Sequence, residues 1–195
     1  MDCPSFPAGK HTARERLTME YRKLPHGEEK ISVLGFGTSA IGAAGEREAE
    51  AAMCMALENG VNYFDMASSD SVPFAAFGRA ARAVRNQIYF QIHFGAEYAS
   101  GKYGWTTDLN AIRRSVDWQL DALGTDYIDF GFLHCIDEEA DLQAATDNGV
   151  VDYILDLKKQ GVVRHVGLSS HTPGMVERAL DAGFLDMVMF SINPA

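Results

Sequence analysis

Apolar positions along this chain follow two rhythms that take turns. Short runs dense in aliphatic and aromatic residues, at 61–65, 87–93, 126–135, 162–168 and 185–190, read as strands. Between them lie longer segments whose apolar residues recur every three or four positions. Segment 46–59 carries Ala52, Met53, Ala56 and Leu57 on one face and is closed by Gly60. A second helix opens at Ser71 and Pro73 and runs to about residue 84, with proline tolerated in the first turn. Segment 107–123 has the cleanest spacing, in Leu109, Ile112, Val116, Leu120 and Leu123. Helix 150–160 stops at Gly161, and a last helix lies between Thr172-Pro173 and Gly183. Upstream, 21–24 and 30–34 flank Pro25-His26-Gly27 and form a short hairpin leading into Gly35-Phe36-Gly37-Thr38. The acidic stretch 137–148 reads as a loop, and 1–18, with no periodicity, as a loose extension.

Strands alternating with helices imply parallel pairing through right-handed crossovers. No GxGxxG follows the first strand, which argues against a two-half nucleotide fold. The expected architecture is α/β of the (β/α)8 barrel type, truncated to about six strand–helix units and preceded by the hairpin. Six units leave two unpaired sheet edges, which a second copy or a partner would be expected to cover.

Composition narrows the partners. With 195 residues, 47% of them hydrophobic and 23% charged, the chain suits one globular domain. A formal charge of −10 argues against nucleic acid or an anionic membrane as partner, since both reward clustered Lys and Arg. An anionic cofactor stays compatible, because a pocket can be locally positive in an acidic protein. Cys3, Cys54 and Cys135 make no CxxC motif, and neither a signal core nor a membrane-length apolar run is present, so a cytoplasmic protein is expected.

The strand ends carry the chemistry. In order they are Gly37-Thr38, Asp65, His93, His134-Cys135 and Ser169-Ser170-His171, and on a barrel such ends share one rim. Each alone has a plain reading: Asp65 as a helix cap, His93 as a hydrogen-bonded structural ring, Cys135 as a small buried residue, His171 as exposed. Together they are harder to dismiss, because burying several ionisable groups unpaired is costly. Asp65, His93 and His134 also allow a metal-dependent hydrolase or lyase, although no HxH pair ends any strand. A third reading is a non-catalytic barrel fragment dependent on a partner. Tyr98, Lys102 and Tyr103 lie in the loop after strand 87–93 and could fold over the rim.

At these residues the sequence resembles the aldo-keto reductase family, in particular the branch whose longer members carry a C-terminal iron–sulfur segment. The similarity rests on the 19–24 segment with its hairpin, Val33-Leu-Gly-Phe-Gly-Thr38, Gly60-Val-Asn-Tyr-Phe-Asp65, Leu123-Gly-Thr-Asp-Tyr-Ile-Asp-Phe130 through His134, and Gly161-Val-Val-Arg-His-Val-Gly-Leu-Ser169. The resemblance implies an eight-stranded barrel, NADP(H), and hydride transfer to a small carbonyl substrate. An iron–sulfur cluster is implied only with a longer C-terminal segment. Asp65 and His134 match the family's catalytic Asp and His; Asp70 stands at its Tyr and His93 at its Lys. A phenol needs a helper to donate a proton near neutral pH, so with Tyr and Lys both replaced, His93 or His134 is expected to serve as donor. Gly37, Thr38 and Asp65 match positions beside the nicotinamide ribose. Ser169-Ser170 match a Ser-Asn pair on the carboxamide, and Met189 stands where the family usually has Gln.

Overall fold

The computed structural model describes residues 18–192, so the loose extension expected over 1–18 lies outside the described residues except for Thr18. A hairpin of β1 (Tyr21–Lys23) and β2 (Lys30–Ser32) comes first, as expected. Then follow β3 (Phe36–Gly37), α1 (Glu46–Glu58), β4 (Tyr63–Asp65), α2 (Val72–Ala81), β5 (Tyr89–Phe94) and a small hairpin of β6 (Ala96–Glu97) and β7 (Gly104–Trp105). The chain continues through α3 (Leu109–Leu123), β8 (Ile128–Leu133), α4 (Glu139–Asp147), α5 (Val150–Lys159), β9 (Val163–Ser170), α6 (Pro173–Asp181) and β10 (Met187–Phe190).

The main sheet has the order β3-β4-β5-β8-β9-β10, and every pairing in it is parallel. Strands that neighbour one another in sequence order belong to a singly wound, barrel-type sheet. The sheet curls: Met189 on β10 brings its sulfur within 3.7 Å of the Gln91 amide on β5, across two intervening strands. This is the truncated barrel that the alternation implies, with β3 and β10 as its edges.

Local chemistry explains the element ends. Asp108 caps α3 by accepting a hydrogen bond from the Ala111 amide at 2.7 Å, and Gly124 ends it in the left-handed region at φ +64°. The stretch expected as an acidic loop is instead largely α4. Glu138 and Asp141 form a reciprocal capping box, acidic residues in the first turn favour the helix dipole, and Ala145 supplies a buried contact. A second difference is the β6–β7 hairpin, whose two-residue strands are too short to show as a pattern.

Between sheet and helices lies a core rich in aromatics, including Phe64, Phe74, Phe77, Phe90 and Phe94. Within it, β8 carries Asp129, whose side chain is fully buried. Arg85 and Arg164 each reach its carboxylate at 2.9 Å, and the Phe90 amide donates to it at 3.0 Å. Both guanidiniums also lie over the Tyr127 ring, 3.9 and 4.2 Å from its centre. Burial raises the Asp129 pKa, and these donors offset that only in part. Asp129→Asn removes the charge while leaving two guanidiniums in place, so it should lower stability by about 3 kcal/mol, read as a reduced denaturation midpoint in urea.

Candidate active site

Side chains alternate along a strand, and parallel neighbours in register bring their inward positions to one level. Asp65 pairs with Gln91 across β4 and β5, and His93 pairs with Phe132 across β5 and β8, so Asp65, His93 and His134 converge at one rim. The result is a continuous hydrogen-bonded chain. Asp65 Oδ1 accepts from the Ala67 amide at 3.2 Å and lies 2.8 Å from His93 Nε2. His93 Nδ1 is 2.8 Å from His134 Nδ1, with the two rings nearly perpendicular at 79°. His134 Nε2 in turn lies 3.0 Å from the hydroxyl of Tyr103.

Tyr103 completes the chain from the loop between β6 and β7, a residue whose place the sequence left open. Residues 69–71 hold that loop. Ser71 donates its amide to the Gly101 carbonyl at 3.1 Å, Tyr103 donates its own to the Ser69 carbonyl at 3.3 Å, and Lys102 Nζ meets Asp70 Oδ2 at 2.6 Å. Trp105 donates its indole N–H to the His134 carbonyl at 3.0 Å, tying the far side of the hairpin to the end of β8. The available signal was the glycine punctuation at Gly95, Gly101 and Gly104, which marks a hairpin folding back over the rim. Tyr98 turns away, buried with its hydroxyl on the Ser68 carbonyl.

Burial, reinforced by the neighbouring His93, pushes the His134 pKa from 6.5 down to about 3, so this ring is neutral at physiological pH. Burial raises the Tyr103 phenol and the Cys135 thiol. Cys135 sits beside the site with its sulfur 3.5 Å from His134 Nε2, in a left-handed backbone conformation at φ +48°. His171, expected as exposed, is so, and it binds Asp137 through both its amide and its ring at 2.6 and 2.9 Å.

An aldo/keto reductase family model matches residues 33–194. The chain belongs to the aldo/keto reductase family. It is 27% identical to the oxidoreductase YqkF of Bacillus subtilis over 90% of its own length and 56% of that protein's. To the L-galactose dehydrogenase of Arabidopsis thaliana it is 26% identical, covering 88% of this chain and 56% of the relative. Among solved structures, the holo form of aldo-keto reductase AKR11C1 from Bacillus halodurans superposes with a TM-score of 0.75 at 27% identity, covering 89% of this chain and 58% of that one. The chain thus spans a little over half the length of the relatives it matches.

Within the family frame, the remaining expected site positions separate. A side chain built on Gly37 would meet nothing within 4 Å, so open space adjoins Asp65 on the β3 side. Thr38 is buried, with its amide and hydroxyl both donating to the Asp65 carbonyl at 3.0 Å. Ser169 accepts from the Cys135 amide at 2.9 Å and donates to the Leu133 carbonyl at 3.3 Å. Ser170 lies apart from that side chain by strand alternation and is engaged with Asp137 and Thr172. Met189 is half-buried against Gln91. The metal-dependent reading finds no support in this geometry. The nitrogens of His93 and His134 face one another and their neighbours, and among the described residues no group of three or more His, Cys, Asp or Glu is arranged to hold a metal ion.

The depressed His134 pKa has a consequence for stability. Between pH 6.5 and about 3 the unfolded chain binds a proton on this ring that the folded chain does not, so stability falls as pH falls through that window. From pH 7 to pH 5 the loss from this group should be about 2 kcal/mol, and His134→Gln should remove it, flattening the pH dependence of urea melts across that interval.

Proposed function

We propose that this chain forms the catalytic rim of an NADP(H)-dependent oxidoreductase that interconverts a small carbonyl compound and its alcohol. The observation that supports it most is the hydrogen-bonded series Asp65–His93–His134 at adjacent strand ends, in a member of a family of carbonyl reductases. The bound dinucleotide supplies or accepts the hydride; the chain's own residues handle the proton. His134 and His93 pass that proton to and from Asp65, which is how the site would work with Asp70 and His93 at the positions where the family has Tyr and Lys.

The nicotinamide end of such a cofactor would lie on the Gly37 side, where a side chain on that glycine would meet nothing within 4 Å. Thr38 holds the Asp65 backbone beneath it. Ser169 keeps one unshared acceptor position for the carboxamide, and Met189 contributes an apolar edge; Ser170, engaged with Asp137 and Thr172, stays outside that contact. For substrates, the named activity of the Arabidopsis relative makes small hydroxylated aldehydes and their alcohols the class to test first. The sheet edges β3 and β10 favour an accompanying strand supplied by a further segment, a second copy or a partner, since β10 leaves Val188 exposed at an open edge.

The test is nicotinamide fluorescence titration of the full chain with NADPH and NADH, followed by carbonyl-dependent oxidation of the bound form. Saturable binding with preference for NADPH is expected, and no binding of either dinucleotide would sink the reading. His134→Gln should lower turnover by about 100-fold or more while leaving dinucleotide affinity nearly unchanged; equal loss of both would remove His134 from the chemistry.

A further inference from the structure

We infer that Tyr103 is the group that exchanges a proton with the substrate oxygen, at the head of a relay running Tyr103–His134–His93–Asp65. The inference rests on the oxidoreductase reading and adds a catalytic residue to it. Exposure singles Tyr103 out. His93 is 2% and His134 8% exposed, and both nitrogens of each ring already face a partner, whereas Tyr103 is 42% exposed. A substrate oxygen therefore meets the phenol first and reaches His134 only by displacing it.

Donor and acceptor accounting gives the relay a direction. A carboxylate only accepts, so in the one-proton form of His93 that proton sits on Nε2, facing Asp65. His93 Nδ1 is then an acceptor, so His134 carries its proton on Nδ1. His134 Nε2 in turn accepts, and the Tyr103 hydroxyl donates to it. The structure turns the Gln91 NH2 toward His93 Nε2 at 2.9 Å and its oxygen toward the Tyr63 hydroxyl, so the relay requires the reversed amide, in which the oxygen accepts from His93 and the NH2 contact to the Met189 sulfur is given up.

In that arrangement the phenol oxygen offers only lone pairs to the open side. An alcohol hydroxyl gives its proton to Tyr103 as the Tyr103 proton moves to His134 Nε2. The Nδ1 proton of His134 moves to His93 Nδ1, and the Nε2 proton of His93 moves to the Asp65 carboxylate. One proton leaves the substrate and one arrives on Asp65, with every intermediate ring neutral before and after. Carbonyl reduction runs the same series backwards and starts from the relay with that extra proton loaded.

The position that departs from the family pattern helps to build the substitute. Asp70 grips Lys102 beside Tyr103, and the backbone ties of 69–71 to 101–103 fix the phenol over His134. The other ionisable groups near His134 are Cys135 on its own strand end, Asp137 just beyond it and His171 after β9.

Tyr103→Phe in the full chain tests this with two readouts. Nitrogen NMR of the imidazoles, recorded without cofactor, should show His134 protonated at Nδ1 and His93 at Nε2. The variant should shift the His134 Nε2 resonance and leave both tautomers in place. A wild-type His134 protonated at Nε2 would make Tyr103 an acceptor and overturn the relay. With an active carbonyl substrate, the variant should lose about 100-fold in kcat with little change in cofactor KM, and its reduction rate should lose the wild-type decline with rising pH. An unchanged kcat and pH profile would overturn the assignment of Tyr103. Wild-type protein that binds no dinucleotide would instead overturn the oxidoreductase reading, and the substrate step with it, leaving the tautomers to decide the hydrogen-bonded series itself.

Discussion

A strand can show each face of its sheet only every second side chain, and most of this structure follows from that limit. On β5, Phe90, Ile92 and Phe94 are buried in the apolar core while Gln91 and His93 join the polar chain. The parallel register then sets Asp65, His93 and His134 on adjacent strands at neighbouring heights. A slip of one residue would turn His93 into the aromatic layer and bring a phenylalanine to the rim. Site and core are therefore one arrangement, and the apolar layer specifies the polar one.

Two buried carboxylate systems show how the same strands accommodate charge in different ways. Asp129 is sealed beneath two guanidiniums and a backbone amide, with no open side, and serves the fold. Asp65 keeps part of its side chain accessible and is linked to an imidazole rather than to a permanent cation. A guanidinium does not release its proton, so the Asp129 cluster is chemically inert. An imidazole chain can shift a proton along its length while each ring stays neutral, which suits a buried site where a fixed charge would be costly.

Asp70 and His93 are both tied into the rim by hydrogen bonds. His93 fills the space between Asp65 and His134 with a group that bonds to both. Asp70 anchors the hairpin loop that carries Tyr103 to His134. The loop after β5 thus brings a phenol to a rim that already holds two imidazoles. The chemistry proposed for this rim is proton exchange at a substrate oxygen, in either direction of a carbonyl–alcohol interconversion.

Local pattern alone determined the alternation of strands and helices, the hairpin at 21–34, the helix faces of α1 and α3, and the strand ends where Asp65, His93 and His134 lie, because periodicity and turn residues act over a few positions. It placed α4 in a loop, since a helix held by a capping box and one buried alanine has little apolar rhythm. The sequence could not show that His93 and His134 meet at their Nδ1 atoms, that Tyr103 completes their chain, or that Arg85 and Arg164 meet on Asp129. Those pairs lie between 31 and 44 residues apart and are joined only when the parallel strands curl and the β6–β7 hairpin folds back. Contacts of that kind depend on the register of the whole sheet, which no short window of the chain contains.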